Sequence, residues 1–261
     1  MLSEQRLLVV SAHSADWVWR SSGTIAKYLA GGAQVFVVCL TYGARGESGA
    51  LWRKEGQTAE NVKKIRMTES MNAAKVLGVT NFEMWDYDDC MLEVKSDIIK
   101  QLNEKIREVQ PTLIITHDKK DVTNPDHGFA REIVYRAAIM AKQAGIESDG
   151  LKPAKAVPIY GFEASEPERS GYVPAIYIDI TDFFDKKLEA MKCIATQTEG
   201  PNIHTRLSTH RGWQAARTIG SKDIKYNERF FGSCGITGIQ ASDILIIKIG
   251  GLQAWQDLQK N

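Results

Sequence analysis

Three short apolar runs constrain this 261-residue chain more than any other feature: LLVVSA (Leu7 to Ala12), QVFVVCLTYG (from Gln34) and TLIITH (Thr112 to His117). Their residues are apolar at successive positions rather than alternate ones. That is the pattern of a strand covered on both faces, as in a parallel sheet. Between the runs lie segments of helical character. TIAKYLAGG closes on Gly31 or Gly32. TAENVKKIRMTESMNAAKVLGV brings Ile65, Ala73, Val76 and Leu77 near one face and closes on Gly78. SDIIKQLNEKIREVQ opens on Ser96, a good N-cap, and stops before Pro111. GFAREIVYRAAIMAKQAG is helical again, and NFEMWDY is strand-like. This alternation predicts an α/β, Rossmann-like, mostly parallel sheet with helices on both faces.

Beyond residue 150, AVPIYGFE and AIYIDIT read as strands, and TDFFDKKLEAMKCIATQ as a helix capped by Thr181 or Asp182. Residues 200–230 are polar and match no clear pattern. There is no repeat, low-complexity segment or linker, so one domain over 1–261 is expected, its part from about 150 onward extending the first.

Charge narrows the function. Thirty-three basic and 32 acidic residues leave a net charge of +1, too little to favour nucleic acid. No stretch reaches the roughly 18 apolar residues of a membrane span, and no leader pattern opens the chain. Cys39, Cys90, Cys193 and Cys234 form no CxxC pair, which suits reduced thiols and a cytoplasmic protein.

In a parallel α/β sheet, ligands bind outside the carboxyl ends of the strands. Polar loops follow three strand ends: residues 12–20, 43–56 and 117–128. The first carries His13 and Asp16 at i and i+3, and the third carries His127. Two imidazoles and a carboxylate with an open fourth position make a catalytic zinc site, one ion per chain. Such an ion lowers the pKa of bound water to about 7. The second loop offers Glu47, a carboxylate near glycines.

AHSAD resembles the AHPDD motif of the PIG-L (LmbE-like) family, zinc-dependent enzymes mostly known as N-acetylglucosaminyl deacetylases. NPDH, Asn124 to His127, resembles the family's HPDH, and RMTESMNAAKVLGV its R-x-x-E-x-x-x-A-A-x-x-L-G-V helix. The resemblance spans roughly residues 6–185 and implies His13, Asp16 and His127 as metal ligands. Two departures bear on the chemistry. Ala15 stands where the deacetylases place their general base, and Asn124 where they place an oxyanion-stabilising histidine. A missing general base costs about 10²–10⁴-fold. AHSADWVWR, RGESGALWRK and RGWQAAR further resemble a hydratase branch of the family, the 4-oxalomesaconate hydratases of aromatic-acid breakdown. In that branch the residue matching Glu47 is the base. The resemblance therefore implies water addition to an unsaturated oxo-polycarboxylate. The alternatives are an amide deacetylase with a displaced base and a metal- or ligand-binding protein without catalysis.

A polycarboxylate calls for guanidinium partners. Arg20, Arg45, Arg53, Arg66, Arg211 and Arg217 lie in or beside the motif loops, and Asn124 can donate a hydrogen bond. The branch's F-E-P-H is GFEASEPE here, with Ala164 and Ser165 in place of Pro and His. Either Glu163, Glu166 or another histidine, His204 or His210 being available, then supplies the second acid, or the substrate differs from the branch's; His117, at a strand end, is placed to support a metal ligand. Family members assemble as trimers or hexamers, so a homo-oligomer is implied. Trp17, Trp19, Trp52 and Trp213 suit packing or an interface.

Overall fold

The structure, a computed structural model, describes residues 2–233. Cys234 and the end of the domain expected over 1–261 lie outside the described residues. The apolar runs form β1 (Arg6–Ser11), β2 (Gln34–Thr41) and β4 (Leu113–Thr116). With β3 (Asn81–Tyr87), β5 (Ile159–Phe162), β6 (Ile176–Asp179) and β7 (Asn227–Ser233) they make a seven-stranded sheet of order β3-β2-β1-β4-β5-β7-β6. β1 pairs in parallel with β2, Leu7 opposite Val35, and with β4, Leu7 opposite Leu113. β2–β3 and β4–β5 are also parallel. β7 runs antiparallel to both β5 and β6, so it alone is reversed.

Successive residues of each run enter opposite cores, which is why the runs are apolar throughout. Leu7, Val9, Val35, Val37 and Ile115 pack with α1 (Asp16–Ala30), α3 (Ala59–Leu77) and α7 (Phe184–Lys192). Leu8, Val10, Val38, Leu40 and Ile114 pack with α4 (Ser96–Val109) and α5 (Pro125–Ala141). Leu7 to Val10 are fully buried, each worth about 1.5–3 kcal/mol.

Helix boundaries differ from expectation at several places, and at α5 a side-chain cap sets the start. α1 starts at Asp16, inside the first polar loop. α5 starts at Pro125, and the Asn124 side chain accepts from Asp126 N at 3.1 Å. Pro125 then takes the first helical position, where its missing N–H costs nothing. Ser96 is the first residue of α4, with Lys95 in the capping position. Thr181 and Asp182 fall in a single 3₁₀ turn, Thr181–Phe183, ahead of α7. Two short helices, α2 (Gly49–Trp52) and α6 (Pro167–Ser170), punctuate loops.

The patternless segment 200–230 holds α8 (Gly200–Ile219) and the start of β7. The buried positions of α8 are Ser208, Arg211, Gly212 and Ala215, at helical spacing but without large apolar side chains. β1 leads to β2 on one side and β4 to β5 on the other. The carboxyl ends of β1 and β4 therefore flank a crevice where the strand order reverses.

Candidate active site

His13 follows β1 by two residues, Asp16 opens α1, and His127 lies in the first turn of α5 beyond β4. The crevice thus brings the three together, and the loop after β2 adds Glu47. One ligand atom from each of the four lies within 4.8 Å of the others. Asp16 Oδ2 is 3.0 Å from His13 Nδ1, Asp16 Oδ1 is 3.5 Å from His127 Nε2, and Glu47 Oε1 is 3.6 Å from His13 Nδ1. Gly43 makes this approach possible. Its φ of +63° suits glycine, and a Cβ there would lie 3.2 Å from that of His13 and 3.3 Å from that of Glu47.

Each imidazole is held from behind by a carboxylate. His127 Nδ1 donates to Asp121 Oδ2 at 2.9 Å, and His13 Nε2 faces Asp126 Oδ2 at 3.2 Å. That tautomer turns His127 Nε2, a buried atom with no hydrogen-bond partner among the described residues, toward the cluster as a lone pair. Asp126 is fixed in turn by the Cys90 N–H at 2.6 Å. Burial lowers the pKa of His13, but Glu47, Asp16 and Asp126 outweigh it and hold the group well above the ordinary value. His127 is also raised, Asp16 and Asp121 overcoming its burial. The carboxylates that favour protons on these two imidazoles would equally favour a divalent cation in the protons' place, with the His127 Nε2 lone pair turned toward it.

His117 supports this arrangement from outside it. Its Nε2 accepts the Ala12 N–H at 2.9 Å, and its ring stacks on His127 at 4.0 Å. Burial, then the neighbouring His127, push its pKa down to about 3, so it sits neutral beneath the cluster.

A cavity of about 730 Å³ opens over the cluster, lined by Trp19, Arg20, Glu47, Arg53, Asn124, His127, Ser165, Gln197 and His204 among others. The expected substrate contacts divide. Arg20, Arg53 and Asn124 line the cavity. Arg53 is exposed and has no ion pair among the described residues. Arg20 Nη2 donates to Ser165 Oγ at 2.8 Å, Nη1 donates to the Glu163 carbonyl, and Nε is buried without a partner.

The structure takes the other arginines elsewhere. Arg45 makes a surface ion pair with Asp88 at 3.0 Å. Arg66 is fully buried on Glu69 at 2.9 Å, because its helix face points into the protein. Arg211 lies behind the cavity, where it and Arg229 clamp the Glu163 carboxylate. Arg217 rests on the exposed Trp213 ring at 5.6 Å. Among the second-acid candidates, Glu163 is thereby committed, Glu166 pairs with Arg169 at the surface, and His210 stacks on Trp213. His204 stacks on Trp19 at the cavity wall, and burial, then Lys187 and Arg20, hold its pKa well below the ordinary value.

Three residues of the site went unnoticed in the sequence. Asp126 stands inside NPDH, next to His127. Asp121 sits six residues before His127, and its only signal was a carboxylate in a polar loop. Gln197, whose Nε2 donates to Glu47 Oε2 at 3.0 Å, lies between α7 and α8 and had none. Ala15 is fully buried in apolar surroundings, so no proton acceptor stands at that position.

The GlcNAc-PI de-N-acetylase (PIG-L) family model matches residues 8–138. The 4-oxalmesaconate hydratase of Pseudomonas putida is 40% identical over 228 residues, covering 86% of this chain and 88% of that one. The crystal structure of GalB, the 4-carboxy-2-hydroxymuconate hydratase of Pseudomonas putida, superimposes with a TM-score of 0.86 at 38% identity, covering 90% of this chain and 99% of that one. A probable N-acetyl-alpha-D-glucosaminyl L-malate deacetylase of Bacillus anthracis is 27% identical, over 76% of this chain and 83% of its own. With its family model spanning residues 8–138 and a relative of 40% identity along most of its length, this chain belongs to the PIG-L family.

Proposed function

We propose that the protein is a metal-dependent hydratase that adds water to an unsaturated, 4-oxalomesaconate-like oxo-polycarboxylate, with one zinc ion held by His13, Asp16 and His127. The observation that carries the reading is Glu47. Its carboxylate enters the cluster from a separate loop, while the position beside Asp16 holds an alanine. The 40% identity to a hydratase supports the same chemistry. When bound, the ion acidifies water and polarises a carbonyl oxygen.

The protein's own groups do the rest. Glu47 Oε1, facing the cluster, takes a proton from the attacking water. The water oxygen bonds to the carbon β to the keto group, the C=C π bond breaks, and the α-carbon receives a proton. His204 is our choice for the side chain that passes this second proton to the α-carbon, since it lines the cavity and Glu163 is committed to two arginines; held neutral by its burial, it relays a proton from solvent rather than storing one. Arg20 and Arg53 meet the substrate carboxylates, and Asn124 orients Glu47 through its 3.4 Å contact with Oε1.

We also infer a cytoplasmic homo-oligomer, a trimer or hexamer. The exposed Trp52 and Trp213 support an interface, and no helix among the described residues is long and apolar enough to cross a membrane.

The test uses the zinc-loaded protein. Mixed with 4-oxalomesaconate it removes the conjugated absorbance, and Glu47→Ala loses about 10²–10⁴-fold in kcat while retaining zinc. Amine release from an N-acetylated sugar, with no absorbance change, makes it a deacetylase instead.

A further inference from the structure

We propose that Gln197, locked by Trp19, is the positioning residue that holds Glu47 in the orientation of a base. The inference rests on the reading of Glu47 given above. Trp19 Nε1 donates to Gln197 Oε1 at 3.0 Å. An indole N–H is a donor only, so the amide oxygen must face Trp19. The amide nitrogen is then turned to Glu47, 3.0 Å from Oε2 and 3.3 Å from its backbone carbonyl. One side chain thus grips both ends of Glu47. Oε1 is left facing His13 Nδ1 at 3.6 Å and Asn124 Nδ2 at 3.4 Å. Swinging the carboxylate out of the cluster would break the bond from Gln197.

The lock is itself held on three sides. The Trp19 ring lies flat on His204, with centroids 5.2 Å apart and planes 6° from parallel. It also passes so close to Gly200 that a Cβ there would stand 2.5 Å from the ring. Beside Gln197, the Thr196 N–H and hydroxyl donate to Glu69 Oε1 at 2.6 and 2.5 Å. The other Glu69 oxygen is tied to Arg66. The buried Arg66 therefore serves the site from behind, by anchoring the loop that carries Gln197. Residues of α1, α3 and α8 converge on the placement of one neutral amide.

Two substitutions separate positioning from mere anchoring. Gln197→Glu keeps the size and still accepts from Trp19, but sets a carboxylate against Glu47. Gln197→Leu keeps the bulk and loses all three hydrogen bonds. If Gln197 positions Glu47, Gln197→Glu lowers kcat about 10- to 100-fold, a part of the general-base contribution, and Gln197→Leu lowers it about tenfold. KM stays within about twofold, and zinc content and melting temperature match the wild type. If Gln197 only ties the loop to Trp19, Gln197→Glu behaves as wild type and Gln197→Leu is the damaging change, which overturns the proposal. A kcat loss that tracks loss of zinc or of melting temperature overturns it too. Glu47→Ala, assayed alongside, keeps the two readings apart. Inactive Glu47→Ala with fully active Gln197→Glu refutes the positioning alone, whereas active Glu47→Ala refutes Glu47 as the base.

Discussion

Asp121→Asn removes one charge and no volume, yet it should cripple metal binding. Asp121 Oδ2 takes three donors at 2.9 Å: His127 Nδ1, the Ser165 N–H and the Ser165 hydroxyl. Oδ1 takes the Thr123 N–H at 3.0 Å and its hydroxyl at 2.6 Å. An asparagine amide can satisfy only one of these sets. With its NH₂ toward His127, it donates to Nδ1 and forces the proton onto Nε2, the nitrogen needed as a lone pair. With its oxygen toward His127, its NH₂ meets the Thr123 N–H, and the loop must move. Supports of this kind are worth about 10–100-fold in metal affinity, or about 1.4–2.7 kcal/mol. Competition with a chelating dye measures the change directly. The zinc-dependent stabilisation falls by the same free energy, because the ion binds the folded state. For a chain this size the zinc-induced rise in melting temperature shrinks by about 3–10 °C. Zinc affinity within twofold of wild type in Asp121→Asn would show that His127 needs no acceptor behind it.

Lys187→Met should cost about 3–5 kcal/mol, as breaking a buried pair does, since Lys187 Nζ bonds Glu228 Oε1 at 2.6 Å and the Trp19 carbonyl at 2.7 Å. Denaturant unfolding that shows a loss below about 1 kcal/mol contradicts this. Gly212→Ala should destabilise by at least about 1–3 kcal/mol, because its Cβ would collide with the Lys225 carbonyl, a backbone group that cannot swing aside. A wild-type melting temperature in that variant refutes the close approach of α8 to the segment that leads into β7. Arg53→Met should raise KM about tenfold, the value of a charge-assisted hydrogen bond, and leave kcat within twofold. An unchanged KM removes Arg53 from substrate binding.

The sheet was legible because its strands are buried on both faces, so β1, β2 and β4 appear as unbroken apolar runs. Where burial is polar the signal vanishes. α8 turns Ser208, Arg211, Gly212 and Ala215 inward, and β7 begins with the buried Asn227, Glu228 and Arg229. These side chains are inside because they answer one another. Arg211 and Arg229 share Glu163, and Glu228 accepts from Lys187, Gly23, Thr24 and the Thr24 hydroxyl. No periodicity rule detects a buried ion pair whose partner lies 41 or 48 residues away. His13, Asp16 and His127 could be singled out because they stand at strand ends, where ligands sit, and because AHSAD and NPDH resemble the family's motifs. Arginines beside the motif loops could not be sorted the same way. Whether a guanidinium faces a cavity, as in Arg53, or an internal carboxylate, as in Arg66, depends on tertiary contacts alone.

The reversed strand has a bearing on how the molecule is made. β7 lies between β5 and β6, so β6 has no place in the sheet until the last described strand arrives. His13, Asp16, Glu47 and His127 all precede β5 in the chain. The four residues are therefore synthesised early, but a domain folds as a unit, and Ser165 and Gln197, which hold Asp121 and Glu47, come later in the chain. The arginines that clamp Glu163, whose carbonyl steadies Arg20, follow only when residues 211 and 229 have been added. A chain ending before β7 would leave β6 unpaired and the buried Lys187 without its Glu228 partner, so the strand made last closes the fold that the early residues depend on.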